Sequence, residues 1–297
     1  MPYFHSRRHP VADTLIEITA LDYTYLPDTP MATRALRGAS FRLRENEIHA
    51  LVGPSGAGKS TLCHFANGLL RPVGLGHVRV LGQDTAAKHC DVRLLRRQVG
   101  LVFQQPHQQM LEELVGDEIA FGPAQLGLDT AALRERVREA MDAVGLSFER
   151  YVDRHTFALS GGEMRRVALA GVLAMHPRVM VLDEATTGLD PLGKQQIAEL
   201  VRRLHAERGM AFVIVSNDMD EVATLAHRVT ILYEGRTVAT GPTLEVLGPA
   251  FDLASYGLLR PSAGQILDRL AEAGLAVDRS PITLPEAEEA VWQAIKR

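Results

Sequence analysis

The sequence has few cysteines, no long apolar run and no excess of positive charge. Its 297 residues include 2 cysteines, Cys63 and Cys90, which are far apart and are predicted to be reduced and structural. The longest apolar run, at 167–175, has nine residues, about half the length that a membrane-spanning helix needs. A formal net charge of −4 argues against the broad basic surface that is typical of nucleic-acid-binding proteins.

Other absences narrow the class of protein further. The first ten residues, MPYFHSRRHP, lack the apolar segment of a signal peptide. The 11 histidines show no metal-ligand spacing. We therefore expect a cytoplasmic chain whose contact with a membrane is peripheral. Its length predicts one large domain with a buried core and a smaller appendage.

A glycine-rich segment at 53–61, GPSGAGKST, fits the phosphate-binding pattern G-x-x-x-x-G-K-[ST]. The apolar run HALVG before it predicts a buried parallel strand, and STLCHFANGLL after it has the spacing of a helix over 60–70. Glycines let backbone N–H groups turn toward phosphate oxygens at the positive end of that helix. We predict that Lys59 reaches the β- and γ-phosphates and that Ser60 is a ligand of Mg²⁺. The predicted nucleotide-binding residues of this loop are Gly53, Pro54, Ser55, Gly56, Ala57, Gly58, Lys59, Ser60 and Thr61.

Two acidic residues end a second apolar run. The segment VMVL at 179–182 is continuously apolar, as a strand buried on both faces must be, and Asp183 and Glu184 follow it directly. Ligands of open α/β sheets bind at the carboxyl ends of such strands. The pair is therefore predicted to lie beside the phosphate-binding loop.

A third segment, LSGGE at 159–163, begins a helix. Ser160 is a good N-cap, and Gly161 and Gly162 leave backbone N–H groups exposed, which suits an anion. The alternative is a helix that is merely well capped, which explains the serine and not the paired glycines.

Together these three segments strongly resemble the ATP-binding cassettes. The resemblance implies an α/β fold: a P-loop NTPase core of the ABC type with a mixed or parallel sheet, an inserted helical subdomain and a short C-terminal helical extension. We predict the ABC ATPase domain at 11–247, with the helical subdomain at about 106–160. The extension at 248–297 is a candidate dimerisation element, with packing on its own domain as the alternative.

The resemblance also implies roles for single residues. Asp183 would hold the Mg²⁺ shell and Glu184 would orient and deprotonate the attacking water. Gln104, which ends the predicted strand VGLVFQ at 99–104, would also contact Mg²⁺. Tyr25 would stack on adenine, with Tyr23 as its rival.

In these ATPases a head-to-tail dimer sandwiches two ATP molecules. The start of the LSGGE helix, with Ser160, Gly161 and Gly162, would grip the γ-phosphate held by the other subunit. A segment along the dimer seam would include Gly188, Leu189 and Asp190.

Two positions depart from the usual cassette pattern. Asn217 follows the predicted strand AFVIVS where histidine is usual, and asparagine cannot carry charge or shuttle a proton near neutral pH. We therefore predict a catalytic site with tight ATP binding and slowed hydrolysis. Glu163 replaces a glutamine, and both residues can cap a helix.

Within the cassettes, resemblance is closest to the ATP-binding components of energy-coupling-factor transporters, which import vitamins and transition-metal ions. It rests on FQQPHQQM at 103–110, AFGPAQLGL at 120–128 and RRVALAGVLAMHP at 165–177. The implied partners are an identical or paralogous ATPase, a transmembrane coupling (T) component and a substrate-binding (S) component, with no nucleic acid. The chain would sit at the cytoplasmic face of the membrane and touch it only through partners. Residues 104–110, with Leu111 and Leu114, would receive a coupling helix of the T component.

The predicted function is ATP binding and hydrolysis coupled to uptake of a vitamin or metal ion. Two alternatives stay open on sequence alone. One is a nucleotide-gated module that hydrolyses poorly because of Asn217 and works with a paralogous ATPase. The other is a soluble cassette protein acting on DNA or ribosomes, which the absence of a second cassette and of a basic surface disfavours.

Overall fold

The computed structural model describes residues 14–296, apart from the side chain of Gln108. The N-terminal segment compared above with a signal peptide, and residues 11–13 of the predicted domain, lie outside that range. The strands are β1 (Thr14–Tyr25), β2 (Thr33–Arg44), β3 (Ile48–Val52), β4 (His77–Val80), β5 (Gln83–Asp84), β6 (Val99–Val102), β7 (Val179–Asp183), β8 (Ala211–Val215), β9 (Arg228–Tyr233) and β10 (Arg236–Pro242).

The α-helices alternate with these strands in the first and last thirds of the chain and dominate the middle. They are α1 (Lys59–Ala66), α2 (Val92–Gln98), α3 (Val115–Ala124), α4 (Thr130–Ala143), α5 (Phe148–Tyr151), α6 (Gly161–Leu173), α7 (Pro191–Arg208), α8 (Met219–Leu225), α9 (Thr243–Leu247), α10 (Ser262–Glu272) and α11 (Leu284–Ile295). Short 3₁₀ turns lie at Pro106–Gln108, Thr156–Ala158 and Ala254–Tyr256.

A mixed sheet carries the core. Its order is β10-β9-β3-β8-β7-β6, with β10 antiparallel to β9 and the other neighbours parallel. Every residue of β3, β6, β7 and β8 is buried, which explains why these strands read as continuous apolar runs. A second, antiparallel sheet has the order β2-β1-β4-β5. The predicted α/β class with a mixed sheet is confirmed.

The two sheets enclose α1 between them. Phe65 and Leu62 of α1 are fully buried in one apolar cluster with Leu36 of β2 and Val213 of β8. The helix is shorter than the predicted span of 60–70. It ends at Ala66 because the Asn67 side chain donates to the carbonyl oxygen of Val99 and Gly68 takes a left-handed φ of 71°.

The helices of the middle third form their own core against α6. Leu133 of α4 is half-buried, whereas Val137, Met141 and Val144 are buried. They share one cluster with Ile119 of α3 and with apolar side chains of α6. These helices fall in the range given for the helical subdomain, whose limits stay a prediction.

The C-terminal segment packs on the main body and ends in a helical hairpin. Leu258 and Ile282 join Met219 and Val222 of α8 in a buried cluster. Helices α10 and α11 meet through small side chains, including Ala263 and Ala287.

Trp292 of α11 is 52 % exposed because the small residues of that helix make the contact with α10. Between Thr14 and Lys296, every helix is too short or too polar to cross a bilayer.

Candidate active site

The phosphate-binding loop connects β3 to α1 and requires glycine at two positions. A Cβ on Gly53 would lie 2.1 Å from the carbonyl oxygen of Leu232, and one on Gly58 would lie 2.7 Å from that of Ala35. Both residues have a positive φ, 149° and 101°. These two glycines of the motif are therefore required by strands β9 and β2, which pack against the loop.

Lys59 begins α1 and points back into the loop. Its Nζ donates to the carbonyl oxygens of Gly53 and Pro54 at 2.6 and 3.1 Å. The side chain is 6 % exposed, and burial lowers its pKa despite the attraction of Glu184 and Asp183. A cation desolvated in this way gains most from an anion that enters the loop.

Asp183 ends β7 in an incomplete environment. It is 4 % exposed, and its Oδ1 has no hydrogen-bond partner among the described residues. Burial raises the pKa of this carboxyl above its usual value, and the Ser60 hydroxyl offsets part of that effect.

A buried carboxylate oxygen without a partner beside a serine hydroxyl fits Mg²⁺, which binds through one or two carboxylates, hydroxyls and substrate phosphates. Within residues 14–296, no cluster of three His, Cys, Asp or Glu side chains has metal-binding geometry, so the fit rests on Asp183 and Ser60.

Glu184 follows with its side chain held at both oxygens. Gln104 donates from Nε2 to Oε2 at 2.6 Å, and Asn217 donates from Nδ2 to Oε1 at 3.1 Å. The backbone of Glu184 is left-handed, with φ of 50°, a conformation rare for residues other than glycine. Gln104 lies two residues beyond the end of β6, whereas the sequence analysis placed it at the strand end.

The turn that carries Asn217 is held by hydrogen bonds to Glu221. Ser216 donates to Glu221 at 2.5 Å, and Thr186 donates to the same carboxylate at 3.0 Å. Burial raises the pKa of Glu221. This buried network joins the turn after β8 to the turn after Glu184, and the sequence analysis did not find it.

Arg165 is a further residue of the site that the sequence did not predict. This residue lies in the first turns of α6 and is 8 % exposed. Its guanidinium donates to the carbonyl oxygen of Glu184 at 2.9 Å and to that of Gln104 at 3.2 Å. The only sequence signal was the pair RR shortly after LSGGE, which gives no indication of which arginine faces inward.

The start of α6 is a complete capping box. The Ser160 N–H donates to Glu163 Oε2 at 2.8 Å, and the Glu163 N–H donates to Ser160 Oγ at 3.3 Å. Glu163 Oε1 also accepts from the Tyr151 hydroxyl at 2.7 Å and from Arg154 at 3.3 Å. The Ser160 amide, then the Tyr151 hydroxyl, lower the pKa of Glu163 to about 2.

Gly161 and Gly162 stand in the first turn of this helix, where backbone N–H groups have no intrahelical partner. Asp190 caps the neighbouring helix α7 by accepting from the Gly193 N–H at 2.8 Å. A groove of about 260 Å³ separates these two helix starts.

Tyr25 ends β1 beside the loop. Its hydroxyl donates to Thr61 Oγ1 at 3.3 Å, and its ring is partly exposed. Tyr23 instead packs edge-on against the buried Phe65, with ring centroids 5.1 Å apart, and burial raises its pKa. Of the two tyrosines, Tyr25 therefore has the freer ring.

The predicted residues form two groups. The first gathers the loop, Tyr25, Gln104, Asp183, Glu184 and Asn217 at the carboxyl end of the parallel strands. The second holds Ser160, Gly161, Gly162 and Asp190, and Arg165 joins it to the first. The arrangement offers a phosphate cradle, a carboxylate suited to a cation and a positioned carboxylate base.

Comparison with known proteins agrees with this geometry. A model of the ABC transporter family matches residues 36–187. The chain therefore belongs to the ABC transporter family and is one of its ATPases. Within that family it is similar to proteins named energy-coupling factor transporter ATP-binding protein EcfA2. It shares 39 % identity with that of Clostridium perfringens over 95 % of this chain and 98 % of the relative. It shares 42 % with that of Symbiobacterium thermophilum over 93 % of this chain and 95 % of the relative.

Solved structures show the same fold. CbiO1 from Clostridium perfringens, described as part of the ABC transporter complex cbiONQ, has a TM-score of 0.71 at 31 % identity, covering 88 % of this chain and 98 % of that chain. A dimeric post-hydrolysis state of the cassette MJ0796 bound to ADP and Pi has a TM-score of 0.70 at 25 % identity, covering 77 % of this chain and 98 % of that chain. The chain is thus an ATP-binding protein of the energy-coupling-factor group.

Proposed function

We propose that the chain hydrolyses ATP in a site built on its own loop and uses that reaction to drive an energy-coupling-factor importer of vitamins or metal ions. The observation that carries the catalytic part is Glu184, whose two carboxylate oxygens are held by Gln104 and Asn217. A base that is fixed at both oxygens can orient a water for attack on the γ-phosphate.

Each residue of the site has a defined task in this proposal. Lys59 and the loop amides hold the β- and γ-phosphates, and the Tyr25 ring stacks on adenine. Ser60, Asp183 and Gln104 hold Mg²⁺, which supplies positive charge that offsets the charge developing on the phosphate oxygens. Glu184 accepts the proton of the attacking water.

Asn217 keeps one function of the usual histidine and loses another. Its amide donates to Glu184 and can orient the carboxylate, but it cannot accept and release a proton near neutral pH. We therefore propose that hydrolysis at this site is slowed and not abolished. The similarity to transporter ATPases does not favour the purely nucleotide-gated alternative.

The second group of residues is proposed to act in trans. Ser160, Gly161 and Gly162 would contact the γ-phosphate held by another ATPase subunit, with Asp190 at the seam. The dimeric MJ0796 structure with ADP and Pi supports this arrangement. The partner is either a second copy or a paralogue.

The C-terminal extension is proposed to contribute to that dimer. Its helical hairpin leaves large apolar side chains on the outside: Trp292 is 52 %, Leu284 59 % and Ile295 63 % exposed. We expect Trp292→Asp to lower the dimer fraction in sedimentation experiments. Leu244→Asp, at a residue of similar exposure (55 %) outside the extension, should leave the dimer fraction unchanged.

Membrane contact is proposed to run through partners at the cytoplasmic face. The segment 104–110 with Leu111 and Leu114 would receive a helix of the transmembrane component, and the substrate-binding component would select the solute. Leu111 is 69 % exposed, as such a groove requires. Leu111→Glu is expected to abolish co-purification with the transmembrane component. The matched control is Leu244→Glu, at a leucine of similar exposure, 55 %, on α9.

The test of the catalytic proposal is steady-state ATP hydrolysis by the purified chain, compared with Glu184→Gln and Asn217→His. Turnover that disappears in Glu184→Gln and rises in Asn217→His supports it. Turnover that is insensitive to Glu184→Gln would contradict the assignment of the base.

A further inference from the structure

A buried arginine connects the two groups of site residues. Arg165 lies on α6, the helix whose first residues are proposed to contact the nucleotide of the other subunit. Its side chain reaches the ends of two adjacent parallel strands, where it donates to the backbone oxygens of Glu184 and Gln104 at 2.9 and 3.2 Å.

The charge on this side chain is not used in an ion pair. In the part of the chain that the structure describes, no carboxylate lies within 4.0 Å of its guanidinium, and burial alone lowers its pKa. An arginine stays protonated even when it is buried, so Arg165 acts here through its hydrogen bonds and not through an ion pair. Two nitrogens in a rigid fork can reach two carbonyl groups at once, which a lysine ammonium cannot do with the same geometry.

The carbonyl of Glu184 is an unusual acceptor. It closes a tight turn by accepting from the Thr187 N–H at 3.1 Å, and it also accepts from Arg165. The residue holds a left-handed φ of 50°, and such a conformation persists only where the surroundings hold it. Arg165 supplies one of those restraints from a different element.

We propose that Arg165 is a positioning residue that fixes the backbone of Glu184 and Gln104 to the start of α6. The inference rests on the proposed role of Glu184 as the base. A displacement of Ser160 by a nucleotide on the partner is thereby transmitted to the base of this chain's own site. The two ATP sites of a dimer are coupled within one subunit through this side chain.

The test compares Arg165→Gln and Arg165→Lys with the control Arg166→Gln. Arg166 is the next residue on the same helix, and it donates to the carbonyl of Val144 and to Gln196, away from Glu184. For Arg165→Gln we expect kcat to fall about 10- to 100-fold while KM and ATP affinity change little, because the base is misplaced and the loop is intact. Arg165→Lys should recover part of kcat, and Arg166→Gln should retain it.

Hydrogen exchange supplies a readout that does not depend on turnover. The amides of Thr187 and Leu189 donate within the turn that Arg165 supports, and the amide of Glu184 donates to the carbonyl oxygen of Val215 at the end of β8. We expect them to exchange about tenfold faster in Arg165→Gln than in Arg166→Gln, with Arg165→Lys between the two. Equal exchange in Arg165→Gln and Arg166→Gln would overturn the inference, as would equal kcat. If Glu184→Gln hydrolyses ATP as fast as wild type, the proposed base is refuted instead. The exchange data would still decide the positioning contact.

Discussion

Two carboxylates of this chain lie in opposite environments. Asp183, at the end of β7, is 4 % exposed, and its Oδ1 has no partner among the described residues, so burial raises its pKa. Glu163, at the start of α6, accepts from Ser160, Tyr151 and Arg154, and its pKa falls to about 2. The first carboxylate is left unsatisfied by the protein and the second is fully satisfied by it.

The difference indicates what each region contributes. A buried charge without a partner costs free energy, and a fold keeps it where a ligand supplies the missing interaction. The strand ends around Asp183 are therefore incomplete without a cation and a nucleotide. The start of α6 is complete by itself, and it exposes Ser160 and Gly161 at its first turn.

The largest expected effect comes from a substitution at the strand ends, beside Asp183. Glu184→Gln keeps the shape of the side chain and removes its ability to accept a proton. We expect kcat for ATP to fall by ~10²–10⁴-fold, with ATP binding retained. A phosphate-release assay and a nucleotide-binding assay on the same sample separate the two effects. Loss of binding together with turnover would show that the residue acts mainly in holding the nucleotide.

Asn217→His changes the same group of residues and is expected to raise kcat instead of lowering it. The imidazole restores a group that can exchange protons near neutral pH. We expect kcat to rise by about 10- to 100-fold, provided that the ring keeps the contact with Glu184. Asn217→Asp, which cannot donate to a carboxylate when ionised, is the matched control and is expected to reduce turnover. An unchanged rate in the histidine variant would remove the explanation for slow hydrolysis.

Substitution of Tyr25 is expected to have a smaller effect, on ATP affinity. Tyr25→Ala removes the ring, and we expect a loss of ~1–3 kcal/mol of ATP binding, about 5- to 150-fold in Kd. Tyr25→Phe keeps the ring and removes the hydroxyl that donates to Thr61. The phenylalanine variant should bind ATP like wild type, and similar losses in both variants would assign the effect to the hydroxyl.

The smallest effect concerns the satisfied carboxylate. The pKa of Glu163 is lowered from 4.5 to about 2 in the folded chain, so its stabilising contribution is present above pH 4.5 and is lost as the pH falls toward 2. Glutamine keeps the capping geometry without this titration. We expect the difference in Tm between wild type and Glu163→Gln to be constant at neutral pH and to shrink in acid. A difference that does not vary with pH would contradict the assigned environment.

The sequence predicted the strand ends better than the contacts between elements. The strands before Gly53 and Asp183 could be recognised because a strand buried on both faces is uniformly apolar, and because the glycine loop fits a known phosphate-binding pattern. The side-chain partners of Glu184 are contributed by the turns after two other strands, β6 and β8, so only the family resemblance pointed to Gln104 and Asn217.

Arg165 shows where such prediction stops. Neighbouring Arg166 is the same residue type on the same helix, and only the rotation of α6 against the sheet decides which guanidinium is buried. The end of α1 at Ala66 depends similarly on Asn67, whose side chain reaches the carbonyl of Val99 in another element. Contacts between segments distant in sequence determine both features, and local patterns do not encode them.

The most direct test of the comparison is thermal unfolding of wild type and Asp183→Asn, each with and without Mg²⁺ and ATP. The folded chain raises the pKa of Asp183, so its ionised form lowers stability at neutral pH. We predict that the ligand-free variant has a higher Tm than wild type and that it loses most of the Mg²⁺-dependent stabilisation by ATP. A variant that melts below wild type and keeps the full Mg²⁺-dependent shift would contradict the claim that Asp183 is left unsatisfied for a cation.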